Sequence, residues 1–269
     1  MTDTPIFHAP PGWETRRINI LLVGCGGTGS ELLSALAKTS FALRDLGHPG
    51  FHVTAFDADA VERPNLGRSN FYPCDLGHNK AQVTVQRINL AWGFAWDACP
   101  VHFDPTPESY RDLREKPDLV ITCVDKGQFR ADMAKLGRLV GGDRALYLDA
   151  GNDSHSGQVI IGHWAGIGGG DRHGFAREAE FVANVLDLYP NLDGFHEPPD
   201  EPSCSMADAL RKQDLPINRS IANTAIELLW GLMRHGIGHQ GCFVDIRKGE
   251  KIPMPVVSQV VCWLISANP

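Results

Sequence analysis

Along the first 150 residues the apolar positions switch repeatedly between two periods. Ile18-Asn19-Ile20-Leu21-Leu22-Val23 is a nearly unbroken apolar run of strand length, the pattern of a strand buried on both faces. A glycine-rich turn from Gly24 to Gly29 follows. Beyond it Leu32, Leu33, Leu36 and Ala37 fall at helical spacing, and Gly47 with Pro49 stops the helix. Residues 51–56 predict the second strand and close a βαβ unit. The spacing of Ala81, Val85, Ile88 and Trp92 predicts a helix over 79–92. A short strand is expected at 101–103, and Thr106-Pro107 reads as an N-cap with proline at the first helical position. Strands at 119–124 and 145–148 flank a helix at 128–140. Such alternation implies an α/β fold with a mostly parallel sheet covered on both faces.

The second half follows other rules. Residues 158–162 predict a strand, but 166–203 are rich in Gly, Pro, Asp and Glu and show no period. A loop that long within a compact domain is usually functional or mobile. Helices are expected at 203–212 and at 217–234, the latter on the stripe Ile221, Ala225, Leu228, Leu229 and Leu232. Strands at 242–246 and 256–263, joined through Arg247-Lys248-Gly249-Glu250, predict a closing antiparallel hairpin. The organisation read from this is an irregular lead-in over 1–17 and one domain over 18–269, with a long crossover loop at 166–203.

Composition narrows the class. With 269 residues, 43% hydrophobic and 21% charged, the chain can bury a substantial core. No apolar run reaches the roughly 18 residues of a membrane helix, and the first residues lack a basic start with an apolar core, so a cytoplasmic, membrane-free protein is expected. A net charge of −7 argues against non-specific nucleic-acid binding. Seven scattered cysteines predict free thiols, and without a C-x-x-C pair no structural zinc is expected. Cys25, Cys123, Cys242 and Cys262 read as packing residues, while Cys74 and Cys99 lack motif support. His155, His163, His173 and His196 show no paired spacing and read as structural or surface groups.

Chemistry enters at the glycine turn. Gly24-Cys25-Gly26-Gly27-Thr28-Gly29-Ser30 satisfies G-x-G-x-x-G between a strand and a helix, where glycines allow close approach to a phosphate and the helix start favours negative charge. Alone, the motif fits a nicotinamide-dependent oxidoreductase at least as well as an ATP site. Asp57, at the end of the second strand, suits ribose hydroxyls in either case. Asn65, Arg68 and Lys80 go further, because two cations beside a nucleotide suit a triphosphate. Taken singly, each cation also reads as a solvated surface charge.

The string Asp57-x-Asp59-x-Val61-x-x-x-Asn65-Leu66-x-Arg68, followed by Gly77-x-x-Lys80, resembles the ThiF/MoeB/E1 superfamily of ubiquitin-like-protein activating enzymes. So do the glycine loop, the run from Leu119 to Asp125 with Arg130 five residues on, and Leu148-Asp149-Ala150-Gly151 followed by Gly157-Gln158-Val159. Ser203-Cys204-Ser205 through Gln213-Asp214-Leu215-Pro216-Ile217-Asn218 is similar to the ThiF-like branch of the plasmid-associated PRTRC system. The resemblance implies a Rossmann-like, doubly wound adenylation fold with C-terminal antiparallel strands. It implies ATP along Gly24, Gly26, Gly27 and Gly29, the ribose near Asp57 and Asp59, and phosphates met by Asn65, Arg68 and Lys80. Mg²⁺ would sit on Asp125, and Cys204 would accept the activated acyl group as a thioester. It also implies a homodimer acting on a small β-grasp protein that ends in glycine.

Two positions depart from the family pattern: Ser69 stands where glutamine is frequent, and Lys126 where asparagine is frequent. They keep a second reading open, a nucleotide- or partner-binding module with weak catalysis. Arg16 and Arg17 abut the first strand, and neither matches the arginine that a neighbouring subunit often contributes.

Overall fold

The computed structural model describes residues 6–142, 144–166, 182–192 and 210–256. Eight strands form one sheet: β1 (Ile18–Val23), β2 (Phe51–Phe56), β3 (Asp97–Cys99), β4 (Leu119–Thr122), β5 (Leu146–Asn152), β6 (Ser156–His163), β7 (His239–Asp245) and β8 (Glu250–Pro255). Their order is β3-β2-β1-β4-β5-β6-β7-β8. The first five are parallel, and β6 to β8 continue the sheet antiparallel. The fold is therefore α/β, Rossmann-like and mostly parallel, with an antiparallel C-terminal extension. The strand order turns back at β1, which has β2 on one side and β4 on the other. In such sheets ligands bind outside the carboxyl ends of the strands at this reversal.

Strand alternation sorts the core into two layers. Ile18, Ile20 and Leu22 of β1 face one cluster, and Leu21 and Val23 face the other. The first layer is covered by α1 (Gly27–Asp45), α2 (Lys80–Trp92) and α6 (Ile217–Arg234). The second is covered by α4 (Gly127–Leu139), the short α5 (Val185–Leu188), and side chains around α3 (Pro107–Asp112). Local chemistry sets the helix ends. The Asn79 side chain accepts from Gln82 N–H at the start of α2, and Gly93 closes that helix at φ 67°. Thr106 caps α3 with Pro107 at its first position.

Two strands depart from the sequence reading. The third lies at Asp97–Cys99 rather than 101–103. It pairs with Thr54 to Phe56 of β2, while Val101 is exposed and Phe103 turns into the second core layer against Phe56, at 5.1 Å between rings. A strand the sequence reading did not expect lies at Glu250–Pro255, because the tight turn after Asp245 pairs that residue directly with Glu250. Residues 257–263, the 203–209 part of the expected helix, and most of the 166–203 loop lie outside the described residues. The lead-in is tied to the body. Phe7 bridges Ile237, and Trp13 is fully buried with its carbonyl 2.6 Å from His48 Nε2. No described helix is long and apolar enough to cross a membrane.

Candidate active site

The glycine turn leaves β1 in a conformation that few residues can adopt. Gly24 has φ 93°, and a methyl group there would lie 2.6 Å from the Cys123 carbonyl oxygen. At Gly29 a methyl would collide with the Gly24 carbonyl, which draws the first turn of α1 tightly onto the strand. Gly26 differs, since nothing lies within 4 Å of where its Cβ would be. It faces open space and is the N-cap of α1 without a side-chain cap. The first N–H groups of a 19-residue helix therefore meet a cleft with no side chain from the cap position to satisfy them. That is an electrostatic seat for an anion.

Asp57 anchors the loop from the end of β2. Its Oδ2 accepts from Cys25 N–H at 2.6 Å and its Oδ1 from Asp59 N–H at 2.8 Å. Burial raises its pKa above the ordinary value, while these two backbone bonds and nearby Lys80 favour the carboxylate. Asp59 in turn holds Lys80 Nζ at 2.9 Å, with the lysine side chain only 12% exposed. Asn79 Nδ2 donates to the carbonyls of Asp57 and Asp59, so the start of α2 is sewn to the loop after β2.

Asn65 closes a short 3₁₀ turn by accepting from Glu62 N–H at 2.9 Å. Arg68 follows it. Its Nε donates to the Pro64 carbonyl at 3.2 Å and its Nη1 to Gln213 Oε1 at 3.2 Å. Among the described residues it pairs with no carboxylate, so its charge is held in direction but not neutralised. Ser69, next to it, is buried, and its hydroxyl has no hydrogen-bond partner.

Beyond β4 the chain passes through Cys123 to the exposed Asp125. Burial, with Asp149 and Asp125 nearby, pushes the Cys123 thiol far above its ordinary pKa, and burial does the same to Cys25. Both thiols are thus poor nucleophiles. Below this wall Arg130 and Asp149 form a buried ion pair, with Arg130 Nε 2.8 Å from Asp149 Oδ1 and a second contact from Nη2 to Oδ2. Thr122 Oγ1 adds a 3.0 Å bond to Asp149 and lies 2.9 Å from the Tyr147 hydroxyl.

These parts surround one cleft of about 1160 Å³ at the carboxyl ends of the strands. Gly26, Gly27, Asp59, Asn65, Arg68 and Asp125 line it. Gly24, Gly29, Asp57 and Lys80 stand behind that wall, Gly24, Gly29 and Asp57 shaping the loop and Lys80 committed to Asp59. Cys204 lies outside the described residues. Lys126 is exposed at the start of α4 and is not on the cleft wall. Arg16 and Arg17 pair with Asp118 and Glu115 before β1 and β4, at the opposite ends of the strands. Neither reaches the cleft of its own chain. Thr28, Asn152 and Gln213 also line the cleft, as does Asn218, which is buried. No sequence motif assigned them a role, although Thr28, Gln213 and Asn218 fell within stretches singled out from sequence. The five described cysteines are free thiols.

Residues 12–140 match the model of the ThiF family. The fold is similar to Escherichia coli MccB solved with MccA, at a TM-score of 0.62 and 13% identity, covering 93% of this chain and 66% of that one. MccB solved with ATP gives 0.60 and 13%, covering 92% and 66%. PaaA gives 0.61 and 13%, covering 91% and 65%. The chain thus spans about two thirds of the length of the solved proteins it matches.

Proposed function

We propose, from the ThiF-family match over residues 12–140 and the cleft it helps to build, that this chain adenylates the terminal carboxylate of a small protein or peptide. Arg68 carries the reading: a half-buried cation on the cleft wall, which among the described residues is held by neutral oxygens, keeps its charge for a polyanion. A nicotinamide oxidoreductase would use the glycine loop and Asp57, but it brings a diphosphate rather than a triphosphate and leaves Asp125 without a role. MccB, of similar fold, is solved with ATP and with MccA, which supports a nucleotide and a peptide-like partner here. The expected acceptor is a β-grasp protein ending in glycine, and the active form a homodimer. The PRTRC branch is proposed on sequence resemblance alone, from Ser203-Cys204-Ser205 through Gln213 to Asn218.

In this reaction a carboxylate oxygen bonds to the α-phosphorus of ATP, and the bond from that phosphorus to the pyrophosphate oxygen breaks. The carboxylate is already ionised at neutral pH, so no base is required. The task is to bring two anions together and stabilise the leaving pyrophosphate, which positioning and fixed positive charge accomplish. The uncapped start of α1 and Arg68 supply that charge. Asp57, with the loop fixed on its oxygens, would receive ribose hydroxyls. Asp125 lines the cleft, and one carboxylate with the nucleotide's own oxygens is how Mg²⁺ is ordinarily held. Asp125 would hold that Mg²⁺, which supplies neutralisation of phosphate charge. Transfer of the acyl group to the Cys204 thiol, releasing AMP, is proposed on sequence context alone.

Calorimetry with ATP·Mg²⁺ and with NADH tests the nucleotide half. Binding of NADH in preference to ATP sinks the proposal. Exchange of labelled pyrophosphate into ATP, dependent on a glycine-terminated β-grasp protein, tests the chemistry. ATP binding without exchange would leave the binding-module reading in its place.

A further inference from the structure

Side chains from distant parts of the chain meet where the glycine loop approaches Arg68. Asn218, in the first turn of α6, is 3% exposed and uses its whole amide. Its Nδ2 donates to the Arg68 carbonyl at 2.9 Å and to Gln213 Oε1 at 3.1 Å. Its Oδ1 accepts from Asn152 Nδ2 at 3.3 Å and lies 3.2 Å from Thr28 Oγ1, whose single proton has a closer acceptor in Asn152 Oδ1 at 2.7 Å. A methyl group on Gly27 would run into this amide, so Asn218 rests directly on the phosphate loop. Gln213 Oε1 receives both Asn218 and Arg68 Nη1.

We propose that Gln213 and Asn218 are positioning residues for the triphosphate, fixing the Arg68 guanidinium relative to the start of α1. The proposal rests on the ATP reading above. Its physical basis is the choice of a neutral acceptor. An amide oxygen at 213 aims the guanidinium without cancelling its charge, whereas a carboxylate there would form an ion pair and compete with phosphate. Asn218 fixes the other end of the same residue by holding its backbone carbonyl. The seat for the phosphates is thereby completed by residues about 150 positions beyond Arg68.

The test uses the full chain, ATP·Mg²⁺ titrated by calorimetry, and Gln213, which is only half-buried and so tolerates replacement. Gln213→Ala is expected to weaken ATP binding roughly 3- to 10-fold, and Gln213→Glu by roughly 10-fold or more, with unchanged melting temperature. In an Arg68→Ala background the alanine effect should vanish, because the residue acts through that guanidinium, and the glutamate effect should shrink to the direct repulsion of a carboxylate on the cleft wall. Equal weakening in both backgrounds, or none in either, overturns the proposal while leaving the ATP reading intact. A wild-type chain that binds no ATP overturns both.

Discussion

Replacing Asp149 by asparagine is the most informative perturbation of the scaffold beneath the cleft. The Asp149 side chain is fully buried, and its partner Arg130 keeps only 9% of its side chain exposed. The carboxylate accepts two guanidinium bonds and one from Thr122. An asparagine offers one oxygen and turns an N–H₂ group toward a group that can only donate. Arg130 keeps its charge and loses both of its bonds to that carboxylate. Breaking a buried pair in this way costs about 3–5 kcal/mol, which for a chain of this size is a fall in Tm of roughly 6–20 °C. Urea denaturation and thermal melts at pH 7 measure it. Asp149→Leu combined with Arg130→Met should be less destabilising than Asp149→Leu alone, since no charge is stranded and Thr122 retains the Tyr147 hydroxyl. A loss below about 1 kcal/mol for Asp149→Asn, or simple additivity in the cycle, would refute this account of the pair.

Other consequences can be checked separately. Gly29→Ala places a methyl against the Gly24 carbonyl, so the phosphate loop must open; loss of ATP binding in a chain that still melts cooperatively is expected, and normal affinity would remove the close approach from the argument. His163 is buried and held neutral, its pKa lowered to about 4, with Nδ1 accepting from Val182 N–H. A folded pKa below the unfolded value of about 6.5 means stability is full above pH 6.5 and is lost as pH falls toward 4, by about 3 kcal/mol in all. Urea midpoints between pH 7.5 and 4.5 should show that slope, and His163→Phe should remove that part of it. Cys204→Ala should abolish a reducible thioester with the partner protein while sparing pyrophosphate exchange; a persisting thioester would eliminate Cys204.

Legibility in the sequence followed the range of the forces involved. β1, β2 and α6 begin and end where apolar period and glycine punctuation put them, because burial on both faces or along one stripe leaves its mark residue by residue. β3 was misplaced because Asp97-Ala98-Cys99 carries no strand signature and is specified by its partner β2, with His52 Nε2 3.1 Å from Asp97. In the site, the glycine loop and Asp57 were readable because their bonds span about 30 residues inside one βαβ unit. Lys80, expected against phosphate, has its ammonium 2.9 Å from Asp59, a pairing that the sequence reading did not foresee. Asn152 gave no signal, and nothing in the stretches that hold Thr28 and Asn218 joined the two, since their contact exists only when segments as far as 190 positions apart are brought together. A polar residue at the start of a helix looks the same whether it caps, faces solvent or reaches across the molecule.

The packing of α6 on α1 also bears on how the chain is made. The two helices share one hydrophobic layer, yet α1 ends at Asp45 and α6 begins at Ile217. At ordinary translation rates of about 5–20 residues per second, the nascent α1 waits roughly ten to thirty seconds for its cover. During that interval a face bearing leucines 32, 33 and 36 is exposed beside strands that have already emerged. Chaperone demand should therefore be greatest in the middle of synthesis, and slowing codons placed between the two helices should lower soluble yield more than the same codons placed after Arg234.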